Sequence, residues 1–83
     1  MADIEVHRGS VSGGRISSLE VHFHGLPHRS IDRDTAIAWL RDGHSLVPVT
    51  GGERGIALQL VEADGETFVR NDNSATSSDS LPF

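Results

Sequence analysis

Residues 30–44 form the only segment of this chain with a convincing helical pattern, and this segment constrains the fold most. Asp32 is suited to the N-cap, because its carboxylate can accept the free N–H groups of the first helical turn. Gly43 can take the left-handed conformation that often ends a helix. Between them, Ile37 and Leu40 lie three residues apart and so share one face. Such a helix is only about 15 Å long and needs other elements to pack against.

The residues before this helix predict a β-hairpin. Two alternating segments, 3–11 and 15–23, flank Gly13-Gly14, and a glycine pair permits the positive φ angles of a two-residue hairpin turn. This turn fixes which residues lie opposite each other, with one set buried and the next exposed. The buried pairs are Val6 with Val21 and Ile4 with Phe23. The exposed pairs are His7 with Glu20, Glu5 with His22, and Asp3 with His24.

The residues after the helix predict three more strands. Residues 46–50 and 56–62 have strand composition, and Asp64-Gly65 is a strong turn signal before a last strand at 66–70. The last turn places Leu60 opposite Val69. The order of elements predicts an α+β fold, a small antiparallel sheet (β-β-α-β-β-β) with one helix packed on one face.

The 83 residues are enough for one core, and we predict a single compact domain over residues 1–72. Residues 73–83 are a polar C-terminal tail with loop composition. The tail ends in Leu81-Pro82-Phe83, which either docks on the core as a latch or stays frayed, as termini often do.

Composition excludes several classes of function. The chain has no cysteine, which excludes disulfides, zinc–thiolate sites and thiol catalysis and favours a cytoplasmic location. It starts without the basic and apolar segments of a secretion signal. No apolar stretch approaches the ~20 residues that cross a bilayer, so we expect no membrane contact. The formal charge is −5 and lysine is absent, so direct nucleic-acid binding is not expected.

The histidines of the hairpin are the best candidates for chemistry. His22 and His24 lie two residues apart and therefore share one face of a strand. With Glu20 or His7 they could offer nitrogen and oxygen ligands to zinc, nickel or copper. The simpler interpretation needs no cofactor and treats them as solvated acid–imidazole pairs. A third interpretation makes them a pH sensor, because histidine changes charge near pH 6.5.

The last two strands suggest a different function. Val61 would lie opposite Phe68, so both faces of this strand pair carry apolar residues. Together with Trp39 and Arg70 they could form a surface that binds an unknown protein partner or a second copy of the chain. The first hypothesis is therefore a non-enzymatic protein-interaction module. Trp39 also fits a simpler role in packing.

Other motifs favour turns over catalysis. Gly51-Gly-Glu-Arg-Gly55 leads into a strand, whereas phosphate-binding loops lead into a helix N-terminus. The chain lacks the G-x-S-x-G pattern of a hydrolase nucleophile. Arg54 and Arg70 could form a site for an anionic ligand.

Four short pieces, placed along most of the chain, resemble a known pattern: Gly14-Arg-Ile16, residues 34–43, residues 65–70 and residues 78–82. In this order they are similar to a small bacterial family catalogued as a domain of unknown function (number 3892). Ser80 departs from the asparagine expected there. The resemblance implies a compact stand-alone domain and supplies no catalytic or binding residues.

Overall fold

The computed structural model of this chain describes residues 2–23 and 25–83. It confirms the α+β class, with one helix packed on a sheet. No helix in the described part of the chain is long and apolar enough to cross a membrane. The elements are β1 (Asp3–Ser12), β2 (Arg15–His22), β3 (Arg29–Ile31), α1 (Arg33–Arg41), β4 (Ser45–Thr50), β5 (Glu53–Arg54), β6 (Gln59–Ala63) and β7 (Glu66–Arg70).

The strand order differs in detail from the predicted antiparallel sheet. Five strands form one sheet in the order β3-β2-β1-β4-β5, and β6 and β7 form a separate pair. Strand β4 runs parallel to β1, so the larger sheet is mixed. Parallel neighbours need a crossover connection, and the segment containing α1 provides it. Strands β3 and β5 are three and two residues long, too short for alternation to reveal them.

The first hairpin forms around the predicted turn. Gly13 and Gly14 both have positive φ, at 60° and 77°. Val6 lies opposite Val21, and Glu5 lies opposite His22, as predicted. Val6 and Val21 are fully buried, so the apolar face of this hairpin is the inner one.

Two β-bulges change the pairing in the middle of the hairpin. Ser17 has no partner on β1, and His7 has none on β2, so Arg8 lies opposite Glu20. The predicted pairing of His7 with Glu20 is therefore wrong. Each bulge adds one residue to one strand, and because they are on opposite strands, the pairing beyond them returns to the predicted register. The bulge at Ser17 has a packing cause, since Ile16 and Leu19 lie three apart and both are buried.

The helix has the predicted ends. The side chain of Asp32 accepts a hydrogen bond of 2.8 Å from the N–H of Thr35, and Gly43 has a φ of 91°. Ala36 and Ile37 are its buried residues, and they cover the inner face of the sheet beside β2 and β4. This packing supplies the stability that a nine-residue helix lacks alone.

The second hairpin also has the predicted turn and pairing. Asp64 and Gly65 have positive φ, at 52° and 76°. Leu60 lies opposite Val69, and Val61 opposite Phe68. Val69 is fully buried and joins the main core. The buried side chains come from both hairpins, β3, β4, α1 and the segment before β6, and the largest fully enclosed ones are Ile4, Leu19, Leu46, Val6, Val21, Val69 and Pro48.

The C-terminal tail is held by Asp79, whose side chain has no solvent exposure. Its Oδ2 accepts from the backbone N–H of Ile16 at 2.7 Å, and its Oδ1 accepts from that of Val69 at 2.9 Å. The guanidinium of Arg33 donates to it through Nε at 2.7 Å. Leu81 packs against the core two residues later. One carboxylate thus joins the start of β2, the start of α1 and β7 to the tail.

The environment of Asp79 predicts a loss of stability in acid. Burial alone would raise the pKa of Asp79, but the hydrogen bonds from Arg33, Ile16 and Val69 outweigh burial and lower it below the ordinary 3.8. A group whose pKa is lowered by folding stabilises the fold above its unfolded pKa, and this contribution is lost as the pH falls through the folded pKa. We therefore expect the free energy of unfolding to fall below about pH 3.8.

Carboxyl-carbon NMR of Asp79, together with denaturant unfolding at a series of pH values, tests this expectation. The midpoint of the titration of Asp79 should lie below pH 3.8, in the range where stability declines. A midpoint at or above that value, in the folded protein, would contradict the hydrogen-bonded arrangement described here.

Candidate metal centre

Three histidines from separate segments meet on the outer side of the first hairpin. His7 lies at the bulge of β1, His22 ends β2, and His28 comes directly before β3. Strand β3 pairs with β2 so that Arg29 lies opposite Val21, which brings His28 beside His22. We call His7, His22 and His28 the imidazole cluster.

The three rings are in mutual contact. Ring centroids are 4.5 Å apart for His22 and His28, 4.9 Å for His7 and His28, and 5.8 Å for His7 and His22. One nitrogen from each ring lies within 4.8 Å of the other two. A tetrahedral zinc ion with bonds of about 2.0 Å requires nitrogens about 3.3 Å apart. The three side chains are 31–46% exposed, so they are free to rotate and bring their nitrogens to the spacing that zinc requires.

Two carboxylates contact the imidazole cluster. Oε1 of Glu5 lies 3.1 Å from Nε2 of His7 and 3.8 Å from Nδ1 of His22. Oε1 of Glu20 lies 3.0 Å from Nδ1 of His28. An ionised carboxylate only accepts hydrogen bonds, so the Nδ1 of His28 donates to Glu20, and in the neutral imidazole this leaves a free lone pair on Nε2. This is how carboxylates commonly orient histidines that bind metals.

The surroundings of Glu5 keep its carboxylate negatively charged beside the rings. The hydrogen bond from His7 is the main reason that the pKa of Glu5 lies below its ordinary value, and the nearby charge of Arg54 lowers it further. Glu5 is therefore ionised at neutral pH. Arg54 also binds Asp3, at 2.6 Å, so part of its charge is already compensated.

The predicted metal ligands were His22, His24, Glu20 and His7. His7 and His22 belong to the imidazole cluster, and Glu20 reaches the cluster through His28. His24 lies outside the described residues. His28 was missed, because its position depends on β3, and three residues are too few to show a strand pattern.

The residues predicted to bind a partner do not form one exposed surface. Phe68 is only 3% exposed, and its ring lies under the guanidinium groups of Arg15 and Arg33, at 5.4 and 5.7 Å from the ring centre. Val61 is half-buried. Trp39 is also half-buried and packs against the core. The apolar face that motivated partner binding is therefore largely covered by the chain itself.

The two arginines suggested as an anion site are engaged separately. Arg70 is 8% exposed, and its guanidinium donates to Asp72 at 2.7 Å and to the backbone oxygen of Ser78 at 2.8 Å. Arg54 binds Asp3 and Glu5 at the opposite side of the larger sheet from β3. The described contacts do not bring the two guanidinium groups to a common site.

Comparison with known proteins gives no relative for this chain. No family model, curated protein or solved structure matches it. Membership of the small bacterial family suggested by the sequence pieces therefore stays a prediction.

Proposed function

We propose that this protein binds a transition-metal ion, Zn²⁺ or Ni²⁺, through the imidazole cluster. One observation carries the proposal: three imidazoles from three separate segments present nitrogens within 4.8 Å of one another. Neutral imidazole is a ligand that suits both ions. A metal ion bound by all three would link β1, β2 and the segment leading into β3. Such a link stabilises a fold most when its ligands are far apart in the sequence, because it closes long loops.

The carboxylates of the site support a divalent cation. Glu5, which contacts two of the rings, is placed to serve as a fourth, oxygen ligand beside His7 and His22. Glu20 acts through His28 and fixes which ring nitrogen faces the ion. The formal charge of −5 also attracts a cation to the protein as a whole. Three nitrogens and one oxygen would complete a tetrahedral zinc site.

A zinc titration followed by the ring signals of the histidines tests the proposal. We expect the signals of His7, His22 and His28 to shift together and to saturate at one equivalent of Zn²⁺. His44 is an internal control, because its Nδ1 accepts a hydrogen bond of 2.9 Å from the N–H of Ala2, away from the cluster. Equal small shifts at His44 and in the cluster, or no shift at one equivalent, would leave the cluster as solvated acid–imidazole pairs.

A further inference from the structure

A second site lies along the face of α1 that carries Asp34, Ala38 and Arg41, next to the buried Ile37. A cleft of about 420 Å³ runs between α1 and the start of β7. Residues 34, 38 and 41 are three or four apart, so they share the helix face that forms one wall. The opposite wall comes from β7 and from Arg15 at the start of β2. The charged and hydroxyl-bearing residues of the lining are Arg15, Arg33, Asp34, Arg41, Glu66 and Thr67.

Three guanidinium groups meet in this cleft. Nη2 of Arg33 donates to the backbone oxygen of Thr67 at 2.6 Å, and Nη2 of Arg41 donates to its Oγ1 at 3.2 Å. Thr67 therefore accepts hydrogen bonds from two cationic side chains. The guanidinium of Arg15 lines the same cleft, and those of Arg15 and Arg33 lie 5.4 and 5.7 Å from the ring centre of Phe68.

The acidic neighbours compensate these charges unequally. Asp79 is fully enclosed and binds Arg33. Glu66 pairs with Arg15, but both side chains are about half exposed, and such a pair is weak enough for another anion to replace it. Within residues 2–23 and 25–83, no carboxylate lies within ion-pair distance of Arg41. Among the described residues, the hydroxyl of Thr67 is the one side-chain hydrogen-bond partner of its guanidinium.

We infer that this cleft binds a small oxyanion, the phosphate or carboxylate group of a small molecule, between Arg41, Arg33 and Arg15. The guanidinium groups keep N–H donors that no described residue accepts, including Nη1 of Arg33 and Nη1 of Arg41. Ile37 and Ala38 form an apolar wall beside them, which suits the carbon part of such a molecule. Asp34 and Glu66 at the rim disfavour ligands with several negative charges. This site is separate from the imidazole cluster and does not depend on it.

Titration of ¹⁵N-labelled protein with inorganic phosphate tests the site, with sodium chloride adjusted to hold the ionic strength constant. We expect saturable shifts at the amides of Ala38, Thr67 and Phe68. Acetate, titrated separately, shows whether a carboxylate occupies the same site. Shifts that rise linearly without saturation for both anions would overturn the inference.

Two variants make the test specific. Arg41→Gln should weaken binding by about tenfold or more, because charge-assisted hydrogen bonds are the strong ones. Arg29→Gln is the matched control, since Arg29 is exposed and stacks over Trp39 at 6.0 Å, outside the cleft. Because Arg41 is exposed and ends the helix, its replacement should leave the fold intact. Equal phosphate affinity in the two variants would also overturn the inference.

Discussion

Replacement of Asp79 by asparagine is expected to lower the free energy of unfolding by about 3–5 kcal/mol, the usual effect of removing one partner of a buried ion pair. Asparagine has nearly the same shape, but its NH₂ group can only donate. It would face either the N–H of Ile16 or that of Val69, which both donate to the carboxylate in the present structure. The guanidinium of Arg33 would also lose its charged partner.

An effect of this size is a large part of the total stability, since a domain of this length has roughly 4–12 kcal/mol. Urea unfolding of Asp79→Asn and the unchanged chain measures it. Asp3→Asn is the matched control, because Asp3 also pairs with an arginine, Arg54, but both side chains are about half exposed. We expect a far smaller change there, since exposed ion pairs contribute little. Equal changes in the two variants would show that Asp79 does not hold the tail.

Replacement of His22 by alanine is expected to weaken zinc binding by at least about 100-fold. Removal of a residue that only orients a metal ligand already lowers the metal affinity by about 10- to 100-fold. His22 is itself a proposed ligand, so the loss of affinity should be larger. It touches both other rings, at 4.5 Å and 5.8 Å between centroids. Without it, two imidazoles and the carboxylate of Glu5 remain, one ligand fewer than the four of a closed tetrahedral site.

Isothermal titration of the variants with Zn²⁺ measures this loss. His44→Ala is the control, because it removes an imidazole that lies outside the cluster. The zinc affinity of this variant should match that of the unchanged chain. Glu20→Gln should fall between them, near tenfold, because Glu20 orients His28 without being a proposed ligand. If His22→Ala and His44→Ala bind zinc equally, the imidazole cluster is not the site.

Much of the local structure was predictable because its signals lie within a few neighbouring residues. The cap at Asp32 and the glycine at 43 marked the ends of the helix. The Gly13-Gly14 turn placed Val11 opposite Ile16, and Val6 still lies opposite Val21 because the two bulges cancel. Such features depend on backbone φ angles and on short side-chain contacts, and therefore on residue type and spacing alone.

The two β-bulges could not be predicted from neighbouring residues. Alternation assigns residues to two faces strictly by twos, and this placed His7 opposite Glu20. Burial of both Ile16 and Leu19 requires one extra residue on β2, and the second bulge on β1 then restores the register. The free-energy cost of leaving an apolar side chain in water favours the bulged strand over a regular one. Which side chains would be left in water depends on the elements that cover the sheet.

The amino-acid sequence alone determined the helix, the two hairpin turns, the apolar faces and the α+β class, because each depends on contacts between near neighbours. Only the tertiary structure decided that β4 runs parallel to β1, that Asp79 is buried under Arg33, and that His28 joins His7 and His22. Asp79 and Ile16 are far apart along the chain, as are His7 and His28. Their meeting depends on how all the elements pack, which no local pattern of residues records.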